Sequence, residues 1–193
     1  AALLFGPLVV VAPWLDPRLG ALTVTAGLYG AGMLFGASVG AQVKHLGHAI
    51  VVALVSACAD VYSVFNDAGP TAQIAQSEAA LALVAIPFPR FGDVVIDPIL
   101  GVGDVVMTGV YFGIAGRHSL SRRATAVALG SAYVAALAVL LVLARAIPVL
   151  PFLGAAFVAT FDGARDVPRS ERRTAVIGVT LVAVFFLALA WIF

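Results

Sequence analysis

The chain has 193 residues, 62% of them hydrophobic and 11% charged, with a mean hydropathy of +1.09. Soluble domains carry about 25% charged residues, so the composition excludes a water-soluble globule and indicates a polytopic membrane protein. The formal net charge of +1 gives no basis for binding nucleic acid, and one cysteine, Cys58, excludes an intrachain disulfide or a cysteine-based metal site.

About 20 residues cross the hydrocarbon core of a bilayer, so charge-free lengths give candidate spans. Ala1–Leu15 is apolar but short and holds Pro7 and Pro13; no cleavable signal peptide is expected there. Asp16-Pro17-Arg18 reads as a turn. Gly20–Val43 runs 24 residues without a charge, with Gly32, Gly36 and Gly40 four residues apart, the small-xxx-small spacing that lets helices approach closely. Lys44-His45-Leu46-Gly47-His48 marks an interface. A third span is expected from about Leu46 to Asn66, with Asp60 as its one charge and Cys58 as a packing residue; Asp67-Ala68-Gly69-Pro70 ends it. Thr71–Ala85 reads as a short amphipathic helix with Gln73, Gln76, Ser77 and Glu78 on its polar side. Two prolines keep Ile86–Gly92 from being helical, and β-branched Asp93-Val94-Val95-Ile96-Asp97 predicts an extended piece.

Pro98–Gly116 then predicts a fourth span with Pro at its first turn. Arg117–Arg123 is a basic connection, in which His118 reads as a solvated interface residue. Ala124–Ala144 is an uncharged fifth span. Ala146–Phe161 is uncharged for 16 residues but interrupted by Pro148 and Pro151. A polar loop, Asp162–Arg173, leads to a last uncharged span, Thr174–Phe193. The expected fold is an all-α integral membrane protein, multi-pass in the cell membrane. It is a single domain of about six to seven transmembrane helices, with a short extended segment before Gly101. Residues 1–43 hold the N-terminal helices, 44–161 the core, and 162–193 a loop and a further helix.

Lys and Arg counts set the expected orientation. With the loop after Gly116 inside, eight of the eleven basic residues lie inside (Lys44, Arg117, Arg122, Arg123, Arg165, Arg169, Arg172, Arg173) and three outside (Arg18, Arg90, Arg145). The Asp67–Asp97 connection is then external.

Two acids stand out. A carboxylate near mid-bilayer costs roughly 2.5–3.5 kcal/mol on insertion scales, which makes an intramembrane acid a functional candidate. Asp60 lies six residues before Asn66, and Asp104 six residues after Pro98. On antiparallel helices rising 1.5 Å per residue, both are expected about 9 Å below the same surface. No span offers a Lys, Arg or His to neutralise them, so the two carboxylates are expected to face each other. Such a pair shares a proton. Its ionised member takes a proton from water while its protonated member polarises a carbonyl, the acid–base division of aspartic proteases. Gly101 and Gly103, flanking Val102, let a substrate backbone or a partner helix come close to Asp104. A membrane-spanning substrate must unwind before cleavage, and Val94-Val95-Ile96 offers a strand edge to receive it. Zinc chemistry lacks His-Glu-x-x-His, and a Ser-His dyad lacks an intramembrane base.

These residues resemble the GxGD intramembrane aspartyl proteases, the presenilins and signal peptide peptidases, in a short prokaryotic form. Three motifs match in order: Asp60-Val61-Tyr62-Ser63-Val64-Phe65 with Gly69-Pro70-Thr71-Ala72-Gln73 after it; Gly101-Val102-Gly103-Asp104; and Pro148-Val149-Leu150-Pro151, similar to the family's Pro-Ala-Leu-Pro. The resemblance spans roughly His45 to Phe161 and implies an Asp60/Asp104 catalytic dyad. It implies that Pro148, Val149, Leu150 and Pro151 shape the site and contact substrate, and that the segments from Thr71, Ile86 and Val94 guide it. Ala59 stands where the family usually has Tyr, Val149 replaces the motif Ala, three rather than more segments precede Asp104, and Thr174–Phe193 is extra. The orientation matches that of signal peptide peptidases and favours type II membrane substrates.

The expected function is thus hydrolysis of peptide bonds in transmembrane substrates within the lipid bilayer, with no metal or cofactor, no nucleic-acid partner, and homo-oligomers allowed. The alternatives are a prepilin-type GxGD peptidase, in which Asp-Val-Lys would replace Asp104-Val105-Val106 and Pro148–Pro151 would have no role, and a proton-coupled transporter.

Overall fold

A computed structural model describes residues 17–66, 69, 70, 73, 76, 85–89, 96–143 and 145–192, the strands through their backbone. The Ala1–Leu15 segment, most of the helix expected at Thr71–Ala85, and Val94 and Val95 lie outside the described residues. Apart from one hairpin, the regular structure is helical: α1 (Pro17–Gly40), α2 (His48–Phe65), β1 (Ala85–Pro89), β2 (Ile96–Gly101), α3 (Val102–Arg117), α4 (Arg122–Leu143), α5 (Leu150–Thr160), a 3-10 turn at Asp162–Arg165, and α6 (Arg169–Ile192). The helices α2, α4 and α6 are long and apolar enough to cross a membrane; α5 is a shorter apolar helix.

Several boundaries differ from expectation, each for a local reason. Pro17 and Arg18, expected in a turn, instead open α1, which begins at Pro17. Proline at the first helical position loses no hydrogen bond and already has a helical φ. The span expected from Ala146 starts as helix only at Leu150, since Pro148 and Pro151 delay it. Its 11 residues extend about 17 Å, well short of a 30 Å core. The last helix starts earlier than Thr174, at Arg169 immediately after Pro168.

The largest correction concerns Pro98. It lies in strand β2, which pairs antiparallel with β1 from Ala85↔Gly101 to Pro89↔Ile96. The backbone of a residue preceding proline is pushed to extended geometry, and Asp97 precedes Pro98. Pro87 and Pro98 sit opposite each other, beside a shift of register between Ile86 and Pro87. Neither proline has an N–H to contribute, and such irregular, short pairings are where strands tolerate proline. The helix carrying Asp104 therefore starts at Val102, after Gly101 in extended conformation (φ −75°, ψ 146°). Asp104 is its third residue, not six residues inside it.

Helix α1 packs along α3 at near backbone contact. A Cβ at Gly36 would run into the Val106 carbonyl, and one at Gly40 into that of Val110. From the other side, a Cβ at Gly109 would strike the Met33 carbonyl and one at Gly113 that of Ala37. Gly32 is looser: a Cβ there would lie 3.3 Å from the Val105 side chain. The contacts advance together along both chains, so α1 and α3 run parallel.

The remaining helices close around Tyr111, Ile114, Leu129, Leu153 and Phe157, all essentially buried. Tyr111 and Phe157 stack at 4.8 Å between α3 and α5, and Gly154 lets Ala53 of α2 approach. On the other side of α2 lies α6, joined through Tyr62–Phe186 rings at 5.3 Å and a 2.5 Å contact between His48 Nε2 and Glu171 Oε2. His118 is not simply solvated. It is half-buried, and its Nε2–H donates to the Val43 carbonyl at 3.0 Å, tying the end of α1 to the end of α3.

Candidate active site

Three of the motifs meet at one end of the helices. Asp60 sits in the last turns of α2, five residues before Phe65. Its Oδ2 accepts a hydrogen bond from the Leu150 N–H at 2.8 Å, and the Val149 N–H also reaches the carboxylate. The sequence Pro148-Val149-Leu150-Pro151 explains this. The prolines have no N–H, so only Val149 and Leu150 can donate. Both stand at the start of α5, where backbone N–H groups lack partners within the helix. The Asp60 carboxylate supplies that partner from across the fold. Pro148 is buried, and Val149, Leu150 and Pro151 are half-buried.

Asp104 is held differently. In the first turn of α3 its side chain folds back, and Oδ2 accepts from the Gly101 N–H at 3.2 Å. Asp104 and Asp60 lie within electrostatic reach of each other. Each thus has one oxygen engaged by a backbone N–H at a helix start. Among the described residues no basic side chain neutralises the pair, but the N-terminal ends of α3 and α5 do part of that work. A helix start carries roughly half a positive charge and stabilises a nearby anion by about 0.3–1 kcal/mol when exposed and up to ~2 kcal/mol when partly buried.

Gly101 and Gly103 are exposed, and they differ from the packing glycines of α1 and α3. Among the described residues, a Cβ at Gly103 would meet nothing within 4 Å, and one at Gly101 would meet Asp104 Oδ2 at 3.4 Å and the Gly103 nitrogen at 4.0 Å. Among the described residues, no helix presses on them. Val102 is half-buried between them. Ile96 opens β2, opposite Pro89, and β2 leads directly into Gly101.

Two further residues, neither of them charged, belong to this site. Thr108 Oγ1 donates to the Asp104 carbonyl at 2.8 Å. Tyr133 of α4 places its hydroxyl 2.7 Å from Thr108 Oγ1 and 3.2 Å from the same carbonyl. The available hints were the four-residue step from Asp104 to Thr108 and a lone tyrosine in the uncharged stretch Ala124–Ala144. No protein-family model, curated protein or solved structure matches this chain.

Proposed function

We propose that the chain is an intramembrane aspartyl endopeptidase that hydrolyses peptide bonds of transmembrane substrates with Asp60, Asp104 and one water. The observation that carries this reading is the hydrogen bond by which the Leu150 N–H holds Asp60, joining two of the three separated motifs, while Asp104 of the third lies within electrostatic reach of Asp60. The protein lies in the cell membrane as a multi-pass chain, with this end of the helices outward by the distribution of Lys and Arg.

The chemistry needs one proton on the pair. The ionised acid takes a proton from water as its oxygen attacks the substrate carbonyl carbon. The other acid gives its proton to the carbonyl oxygen, and a gem-diol forms. On collapse the C–N bond breaks. The first acid passes its proton to the leaving nitrogen, and a diol hydroxyl returns one to the second acid. The pair ends as it began, with one water consumed. No metal or cofactor enters these steps.

Substrate reaches the acids extended, because helical hydrogen bonds shield its carbonyls. Strand β2 has one edge unpaired by β1, and a substrate strand added there runs toward Gly101 and Gly103. The open space at Gly103 belongs to that substrate backbone. Gly103→Ala is therefore expected to leave the melting temperature unchanged and to raise KM several-fold in a cleavage assay. A fall in stability with unchanged KM would show that the glycine serves packing instead.

The reading is tested by a purified, reconstituted chain and a reporter with a tagged transmembrane segment. The expected result is a pair of fragments divided within that segment, and inhibition by a peptide mimic carrying a hydroxyl in place of the scissile carbonyl. Uncut reporter, with proton-driven solute uptake by the same liposomes, would overturn it in favour of a transporter.

A further inference from the structure

We propose that Tyr133 is a positioning residue for Asp104: through its hydroxyl and Thr108 it fixes the first turn of α3 so that the Asp104 carboxyl faces Asp60. The inference rests on the peptidase reading and names a residue of that same site.

Asp104 is poorly anchored by position alone. It is the third residue of α3, in a turn whose N–H groups lack helical partners. Before it stand the exposed Gly101 and Gly103, with half-buried Val102 between them as the only side chain to pack. Beside it lies a cavity of about 170 Å³ lined by Tyr29, Val105, Thr108 and Tyr133, so close packing does not hold this flank. The glycine contacts with α1 are loose at Val105, against Gly32, and become backbone-close only further along, at Val106 and Gly109.

What bridges the gap is polar. The Asp104 carbonyl accepts from Thr108 Oγ1 at 2.8 Å and from the Tyr133 hydroxyl at 3.2 Å, and the two hydroxyls lie 2.7 Å apart. Thr108 belongs to the same helix and only tightens it. Tyr133 comes from α4, and among the described residues it is the one polar link between α4 and this turn. A hydrogen bond to the carbonyl of residue 104 restrains rotation of α3 about its axis. That rotation decides where the Asp104 side chain points. Misplacement of a reacting group by about 1 Å can cost 10²-fold in rate.

The test is the Tyr133→Phe variant in the reporter assay, alongside Thr108→Val and Thr108→Ser. Phenylalanine keeps the ring that walls the cavity and removes the hydroxyl alone. The expected result is a fall in kcat of about tenfold, equivalent to ~1.4 kcal/mol, with KM and melting temperature close to wild type. Thr108→Val is expected to lose kcat likewise, and Thr108→Ser to restore it. Wild-type kcat in Tyr133→Phe, in a protein that does cleave the reporter, overturns the positioning role and leaves the dyad untouched. A rise in KM at constant kcat assigns Tyr133 to substrate binding and also overturns it. A wild-type chain that cleaves nothing fails at the earlier reading instead.

Discussion

Asp60→Asn and Asp104→Asn are each expected to lower reporter cleavage by about 10³-fold or more while leaving the fold intact. General acid–base groups contribute about 10²–10⁴-fold each, and here one proton is passed between the two, so loss of either stops the cycle. Asparagine is the informative replacement. Its carbonyl oxygen can still accept from Leu150 in place of Asp60 Oδ2, or from Gly101 in place of Asp104 Oδ2. Alanine at position 60 would instead strand the Val149 and Leu150 N–H groups, at about 1–3 kcal/mol for an unsatisfied donor, and would mix stability with chemistry. The double asparagine variant is expected to be no slower than either single one, because residues acting as a unit are non-additive. Retention of a tenth or more of the rate in either variant, with folding verified by melting, would remove that acid from the mechanism.

The second large effect is structural. Gly36→Leu and Gly113→Leu are expected to separate α1 from α3 and to lower the melting temperature by about 10 °C or to prevent folding. The obstruction at each glycine is main chain, the Val106 carbonyl for Gly36 and the Ala37 carbonyl for Gly113, and a carbonyl cannot swing aside as a side chain can. Overpacking costs about 1–3 kcal/mol when neighbours can adjust, and more when they cannot. A domain of this size loses roughly 2–4 °C per kcal/mol. Gly130→Leu is the matched control, since none of the described residues lies within 4 Å of a Cβ there. Equal melting temperatures for Gly113→Leu and Gly130→Leu would contradict the close α1–α3 crossing.

These two sites show what is legible in such a sequence. An acid in an apolar run is conspicuous because its insertion is costly, so Asp60 and Asp104 stand out without any structure. The prolines around Val149 and Leu150 are likewise visible, but their partner is not. Nothing in the local sequence says that two orphan N–H groups at one helix start will meet a carboxylate 90 residues earlier. Gly32, Gly36 and Gly40 reveal one side of a helix crossing. The answering pair, Gly109 and Gly113, is hidden in the Asp104 helix, where attention falls on the acid. Pro98 misleads for a different reason. Proline suits the first turn of a helix and the irregular end of a strand equally well, and pairing with Ala85–Pro89 decides between them. Thr108 and Tyr133 are not legible, because hydroxyls carry no charge and their meeting at the Asp104 carbonyl depends on the approach of α4, which no linear pattern announces.

The central claim is that the side chains at 60 and 104 meet. The most direct measurement is cross-linking of the Asp60→Cys, Asp104→Cys double variant, with Cys58→Ala to leave no other thiol, by a short bis-thiosulfonate reagent in liposomes. The expected result is rapid closure of an intrachain bridge in most molecules, with each single variant labelled but unbridged. Efficient labelling of both thiols without closure, by short reagents and by longer ones alike, would contradict the account.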